Sequence, residues 1–320
     1  MHNTTRALIA ALPSAICIAS CTGPATWGSV DVPCRPLTVT QPSRPAQWNG
    51  TVFTVAMENH SGAQILGAGD APYINGLAAS GAVAAGYHDP YVHPSEPNYL
   101  WMIAGENFGI LDDNDPGPGH TIAAVGHLAD QIERAGLTWR AYEESMVDPC
   151  GLASHDAYAA KHDPFVFFDD VNGWNGASFA PGARCVQHVV DYSVLAADLA
   201  AGTVPDYVFI TPNLQHDMHD GTVADGDAWL AAELPRVLAS DAYKHGGALF
   251  VVWDEGPSEG DNPLFIVASP NARPGTVSST EYDTSSFLLT VQKILGLDAL
   301  PCGAQPSAAR SMDDLFLAPL

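Results

Sequence analysis

Basic residues are scarce in this chain. Its 320 residues include 12 Lys and Arg against 36 Asp and Glu, a formal net charge of -24. Nucleic acids are gripped through Lys and Arg that neutralise phosphates, so this balance excludes a general nucleic-acid binder. The same self-repulsion keeps an exported protein soluble. Long apolar runs are missing after the N-terminal segment, which excludes a later membrane-spanning helix. No CxxC pair occurs, which argues against a zinc-thiolate site, and no HExxH or HxxxH zincin pattern occurs either. Internal repeats are also lacking.

Apolar residues make up 47% of the chain, which is ordinary for a globular protein with a sizeable core. After Arg6, the apolar stretch Ala7 to Ser20 is too short to span a bilayer and holds Pro13 at its middle. It ends Ile18-Ala19-Ser20-Cys21, similar to a lipoprotein signal. The expectation is an export signal over 1–20, a tether and arm over 21–49, and one folded domain over 50–320. The mature protein is then exported, at the cell surface or secreted, and meets a membrane only through a lipid on Cys21. Cys34, Cys150, Cys185 and Cys302 remain as an even set with three connectivities. Cys150 and Cys185 bracket one insertion and are expected to pair, leaving Cys34 for Cys302.

Strand and helix alternate along the chain. Thr51–Met57 and Gly247–Trp253 are apolar without alternation, as strands buried on both faces are. Helices are expected over 72–81, 121–135, 194–201, 227–240 and 285–295, with further strands over 83–87, 137–142, 207–211 and 264–268. This order predicts an α/β three-layer sandwich with a mostly parallel central sheet. HPSEPNY, with two prolines, reads as a rigid loop, and the stretch after Ala104 as a long loop rich in Gly, Pro and Asp.

Both long strands end in oxygen-bearing side chains: Glu58 and Asn59 after the first, Asp254 and Glu255 after the second. Open α/β folds place ligands at the carboxyl edge of the sheet. Four such groups brought together suit one hard divalent cation, with Mg, Ca or Mn favoured. Around them, His93, His162, His216 and His219 are candidates to hydrogen-bond a phosphoryl group and to protonate a leaving oxygen.

The motifs MENHSG, APYINGLA, HPSEPNY, GLTWRAYEESM, KHDPFVFF, VPDYVFITPNLQHDMHDG and FVVWDEG carry a resemblance over roughly 51–316. In that order they resemble the phosphoesterase family of bacterial and fungal acid phosphatases and phospholipases C. The resemblance implies an alkaline-phosphatase-like fold and a small phosphorylated substrate. It also implies a catalytic cation on Glu58, Asn59, Asp254 and Glu255, with His93, His162, His216 and His219 as phosphate-binding and proton-handling groups. The function it implies is phosphomonoester hydrolysis, with phospholipase C activity or silent binding as alternatives. The family's nucleophilic Ser or Thr is expected in the turn Ala104–Gly109, which here contains no hydroxyl. Asn107 is therefore the expected functional side chain of that turn, with Glu106 peripheral. The alternatives are a hydroxyl from elsewhere, Ser95 and Thr121 being nearest in sequence, or direct attack by a metal-bound water.

Overall fold

The computed structural model describes residues 44–123, 126–258, 260–300 and 309–320. The expected signal segment, Cys21 and the Cys34–Cys302 pair lie outside them. Ten strands are present among the described residues: β1 Val52–Met57, β2 Ala82–Ala84, β3 Tyr87–His88, β4 Trp139–Glu143, β5 Val189–Asp191, β6 Tyr207–Thr211, β7 Ala248–Trp253, β8 Phe265–Ala268, β9 Thr276–Ser278 and β10 Tyr282–Asp283. Eight form one sheet in the order β5-β4-β6-β1-β7-β8-β2-β9, and β10 pairs with β3 in a small parallel ribbon. Within the large sheet only β8 runs against its neighbours. β1 and β7 sit at the centre, parallel and in register from Val52↔Ala248 to Met57↔Trp253.

Every residue of β1 and β7 is buried, which is why neither sequence alternates. Successive side chains point to opposite faces and feed two separate cores. Val52, Ala56, Phe250 and Val252 pack with Tyr99, Leu100 and Ile103 of the helix Ser95–Ala104 and with Phe287 and Val291 of the helix Thr284–Leu295. Phe53, Val55, Leu249 and Val251 pack with Ile74 and Leu77 of the helix Pro72–Ser80 and with Leu230 and Leu234 of the helix Val223–Ala239. Helices cover both faces of the sheet, giving the three layers expected.

Four elements differ from the sequence reading. The strand expected over 83–87 is two, Ala82–Ala84 and Tyr87–His88, in different sheets, and the helix expected over 227–240 begins at Val223, capped by Thr222. HPSEPNY is not all loop: a helix starts at Ser95, and Pro97 fits its first turn, where no intrahelical N–H is required. The helix expected over 121–135 spans Leu128–Arg134 instead, because Ile122 pairs as a lone β-bridge with Phe168. Its N–H donates to the Phe167 carbonyl at 2.7 Å, and its own carbonyl accepts from Asp169 N at 2.9 Å. Cys150 and Cys185 form the expected disulfide, with Cα atoms 5.3 Å apart.

Candidate active site

The parallel register of β1 and β7 delivers Glu58 and Asp254 side by side at the carboxyl edge. Asp254 N donates to the Met57 carbonyl at 2.9 Å, and Asn59 N donates to Asp254 Oδ1 at 3.3 Å. Asn59 adopts a left-handed backbone (φ 55°), a conformation Asn tolerates better than most residues. Glu58 is fully buried, and its carboxylate organises the site. Oε2 accepts a hydrogen bond from Ser95 Oγ at 2.9 Å, and Oε1 faces His162 Nε2 at 3.1 Å. The other ring nitrogen of His162 lies 3.2 Å from Asp217 Oδ2. Tyr99 stacks on the His162 ring at 4.9 Å and 7°. Ser95 opens its helix, so its hydroxyl sits at the positive end of a helix dipole.

His219 stands beside His162, ring centroids 5.5 Å apart, with its N–H bonded to Asp217 Oδ1 at 2.7 Å. Lys161 Nζ bridges Asp113 Oδ2 at 2.6 Å and His219 Nε2 at 3.2 Å. On the other side, His93 Nδ1 meets Glu255 Oε2 at 2.8 Å, and Asn98 Nδ2 donates to the same oxygen at 2.9 Å. Beside Ser95, the buried Glu96 carboxylate is met by His120 Nε2 at 3.0 Å.

Burial dominates the protonation of this cluster. It pushes the Glu58 carboxyl well up, with Asp254 and then Asp217 adding like-charge repulsion. It also pushes Asp254 well up, with Glu255 reinforcing it. Asp217 and Glu255 are each pushed up to about 7 by burial, against the opposing pull of His219 and of His93 respectively. His162 is lowered by burial, then by Lys161 and His219. Crowded buried carboxylates of this kind require positive charge for all to ionise.

The donor atoms present fit a cation. Glu58 Oε1, His162 Nε2, Asp217 Oδ2 and Asp254 Oδ2 are buried without a hydrogen-bond partner, a costly state for isolated polar atoms. Glu58 Oε1 and His162 Nε2 are close but not aligned as donor and acceptor, as two ligands of one ion would be. One ligand atom each from Glu58, His162 and His219 lies within 4.8 Å of the others. This set adds two imidazoles to the carboxylate oxygens of Glu58 and its neighbour Asp254.

The expected site residues separate accordingly. Glu58, Asp254, His162 and His219 come together, and the Asn59 backbone joins them. Glu255 is turned to His93 and Asn98. His216 is held elsewhere: its Nδ1 is 2.8 Å from Glu144 Oε2, and Trp229 Nε1 donates to the other oxygen of that carboxylate at 3.1 Å. Asn107 closes its own loop, donating from Nδ2 to the Ile110 carbonyl at 2.7 Å. The backbone turns sharply there, with positive φ at Phe108 and Gly109, and the Asn107 amide satisfies the freed carbonyl. Among the described residues, its hydrogen bonds do not reach Glu58 or Asp254.

Sequence reasoning underrated three residues. Ser95 entered only as a neighbouring hydroxyl, although Ser-Glu-Pro ahead of an apolar run is a helix-start signal. Asp217 stands between His216 and His219, and no spacing in that loop marks it as a partner of His162. Lys161 precedes His162 with no local pattern that marks a role, yet among the described residues it is the one Lys or Arg side chain bonded beside the cluster, to Asp113 and His219.

Comparison with known proteins places the chain. Residues 43–261 match the phosphoesterase family. Phosphatidylinositol-3-phosphatase from Mycobacterium tuberculosis is 34% identical over 248 residues, covering 77% of this chain and 77% of that protein. An acid phosphatase from Aspergillus fumigatus is 27% identical over 244 residues, covering 71% of this chain but 52% of its own length. Among solved structures, a protein in the alkaline phosphatase superfamily from Vibrio parahaemolyticus superimposes with a TM-score of 0.54 at 14% identity, covering 87% of this chain and 72% of that one, a likeness of fold alone. The chain belongs to the phosphoesterase family and is a phosphoric ester hydrolase on an alkaline-phosphatase-type α/β fold.

Proposed function

We propose that this protein is an exported, cation-dependent phosphomonoesterase of the acid-phosphatase type, with Ser95 as its nucleophile. The observation that carries this reading is the Ser95 hydroxyl, buried at a helix N-terminus and 2.9 Å from the Glu58 carboxylate. A serine hydroxyl is a weak nucleophile until a neighbouring base takes its proton. Glu58 Oε2 is placed to accept that proton as the Oγ–phosphorus bond forms and the phosphorus–ester oxygen bond breaks. His93, a third exposed and fixed by Glu255, donates a proton to the departing oxygen. Water then opens the phosphoseryl ester, releasing phosphate and restoring the hydroxyl. Lys161 and the helix N-terminus bind the phosphoryl oxygens.

Glu58, His162 and His219 would hold the cation, with Asp254 beside them. When bound, it supplies positive charge to a phosphoryl oxygen and offsets the buried carboxylates. The mixed nitrogen and oxygen donors widen the choice beyond Mg, Ca or Mn to imidazole-preferring metals. Export rests on the apolar segment over 7–20, and a lipid at Cys21 on the residues Ile18-Ala19-Ser20 that lead into it. Turnover of p-nitrophenyl phosphate beside phosphatidylcholine, with and without chelator, tests the activity. Chelator-sensitive hydrolysis of the first alone supports the reading; hydrolysis of the second alone contradicts it.

A further inference from the structure

His93 sits on a loop between β3 and the helix that Ser95 opens. Its ring is held at Nδ1, 2.8 Å from Glu255 Oε2. The same oxygen accepts from Asn98 Nδ2 at 2.9 Å. Asn98 lies in the first turn of the helix and is wholly buried. Its Nδ2 also donates to the Val92 carbonyl at 2.9 Å and, more distantly, to the Pro94 carbonyl at 3.4 Å. One amide group therefore grips the backbone on both sides of His93 and the carboxylate that holds its ring. The three atoms that Nδ2 meets are all acceptors, which fixes the orientation of the amide: turned over, its oxygen would face two carbonyls and a carboxylate. Asn98 Oδ1 is buried without a hydrogen-bond partner among the described residues, so the side chain serves this site through its donors.

We infer that Asn98 is a positioning residue for protonation of the leaving group, holding His93 and Glu255 as one unit. The inference rests on the phosphomonoesterase reading, in which His93 is the proton donor. Glu255 occupies Nδ1 and leaves Nε2 to donate as the phosphorus–ester oxygen bond breaks and its electron pair stays on the oxygen. Groups that take part in a reaction must be held within about 0.5 Å of the productive geometry. A side chain on a loop meets that demand when both its ring and its backbone are tied, and Asn98 ties both. How much the proton matters depends on the leaving group: a nitrophenolate departs readily without one, whereas an alkoxide does not. Loss of Asn98 therefore acts selectively on alkyl esters, whereas a loss of packing alone slows every ester alike.

The test compares kcat/KM for p-nitrophenyl phosphate and glycerol 3-phosphate in wild type, Asn98→Ala, His93→Ala and the double variant. This ratio reports the steps up to and including cleavage of the ester bond, not the later hydrolysis of the phosphoseryl ester. Asn98→Ala is expected to lower it about a hundredfold for glycerol 3-phosphate and about fivefold or less for p-nitrophenyl phosphate. In the His93→Ala background, Asn98→Ala should add less than about threefold to either loss, because the two residues act as a unit. Asn98→Asp keeps the shape of the side chain and removes its donors; it should show the same selectivity, and it replaces the alanine variant if that one folds poorly. A crystal structure of whichever Asn98 variant folds is expected to show His93 Nδ1 out of hydrogen-bond reach of Glu255. Equal losses on the two esters, additive losses in the double variant, or an intact His93–Glu255 contact overturns the inference. If wild type hydrolyses neither ester, the phosphomonoesterase reading falls instead, while the crystal structure still decides whether Asn98 holds His93.

Discussion

Ser95 Oγ donates to Glu58 Oε2 across 2.9 Å, joining the first turn of one helix to the end of the central strand. Both residues are almost wholly removed from solvent, at 2% and 0% exposure. Burial and the neighbouring acids push the Glu58 carboxyl well up, so this bond becomes charge-assisted, and correspondingly strong, only where positive charge lets Glu58 ionise. Its cost is a buried acid that positive charge must offset, and the chemistry proposed for the site depends on both.

Removal of divalent metal is therefore expected to lower stability as well as turnover. A cation held at a hundred times its dissociation constant stabilises by about 2.7 kcal/mol. Thermal unfolding of the metal-depleted protein, titrated with Mg, Mn and Zn in turn, reads this. Glu58→Gln should abolish the rise in melting temperature and reduce turnover by at least about a hundredfold. A metal response that survives Glu58→Gln would place the cation elsewhere.

Asp217 is expected to act through His162. Its Oδ2 faces His162 Nδ1 at 3.2 Å, and its other oxygen holds the His219 backbone at 2.7 Å. Partners that orient ligand imidazoles typically matter by about 10–100-fold in metal affinity or activity. Asp217→Asn should lose activity in that range, partly restored by excess metal. Activity equal to wild type would show that His162 needs no such support.

How much of this was legible in advance depended on which physical signal each residue left. β1 and β7 were readable because strands covered on both faces cannot alternate, and Glu58 and Asp254 followed as their terminal acids. The start of the helix at Ser95 was obscured by Pro94 and Pro97, which read as loop punctuation although the second fits a first turn. The convergence of His162 on Glu58 required knowing that the segment between Cys150 and Cys185 folds back across the carboxyl edge, a long-range contact that leaves no local pattern. His216 and His219 share one loop, and only the fold reveals that one turns to Glu144 and the other to His162.

The Cys150–Cys185 bridge closes a loop with a sequence separation of 35 that carries His162. Replacing both cysteines by alanine should cost roughly 2–4 kcal/mol in the chain-entropy description. Urea denaturation gives the difference. An unchanged midpoint would mean that the insertion is held by packing alone.

Arg184 bonds Asp130 at 2.7 Å, Glu133 at 2.9 Å and also Asp170, which His127 faces. Burial pushes the Asp170 carboxyl up, but His127 and Arg184 outweigh it and hold it well below the usual carboxylate range. Its native pKa is below the unfolded one, so its stabilisation is complete above about pH 4 and is lost as pH falls through the native value. Arg184→Met should cost about 1–2 kcal/mol at neutral pH, since these pairs are partly solvated. The deficit should shrink in acid, as urea titrations at pH 7 and pH 3 would show. A deficit constant with pH would contradict the electrostatic origin.

The most direct test of the central claim is acid quenching of the protein during turnover of p-nitrophenyl phosphate, followed by peptide mass spectrometry. The account predicts a phosphoryl group on the peptide carrying Ser95, absent in Ser95→Ala, with turnover in that variant reduced at least about a thousandfold. Phosphorylation of a different residue, or wild-type turnover by Ser95→Ala, would contradict it.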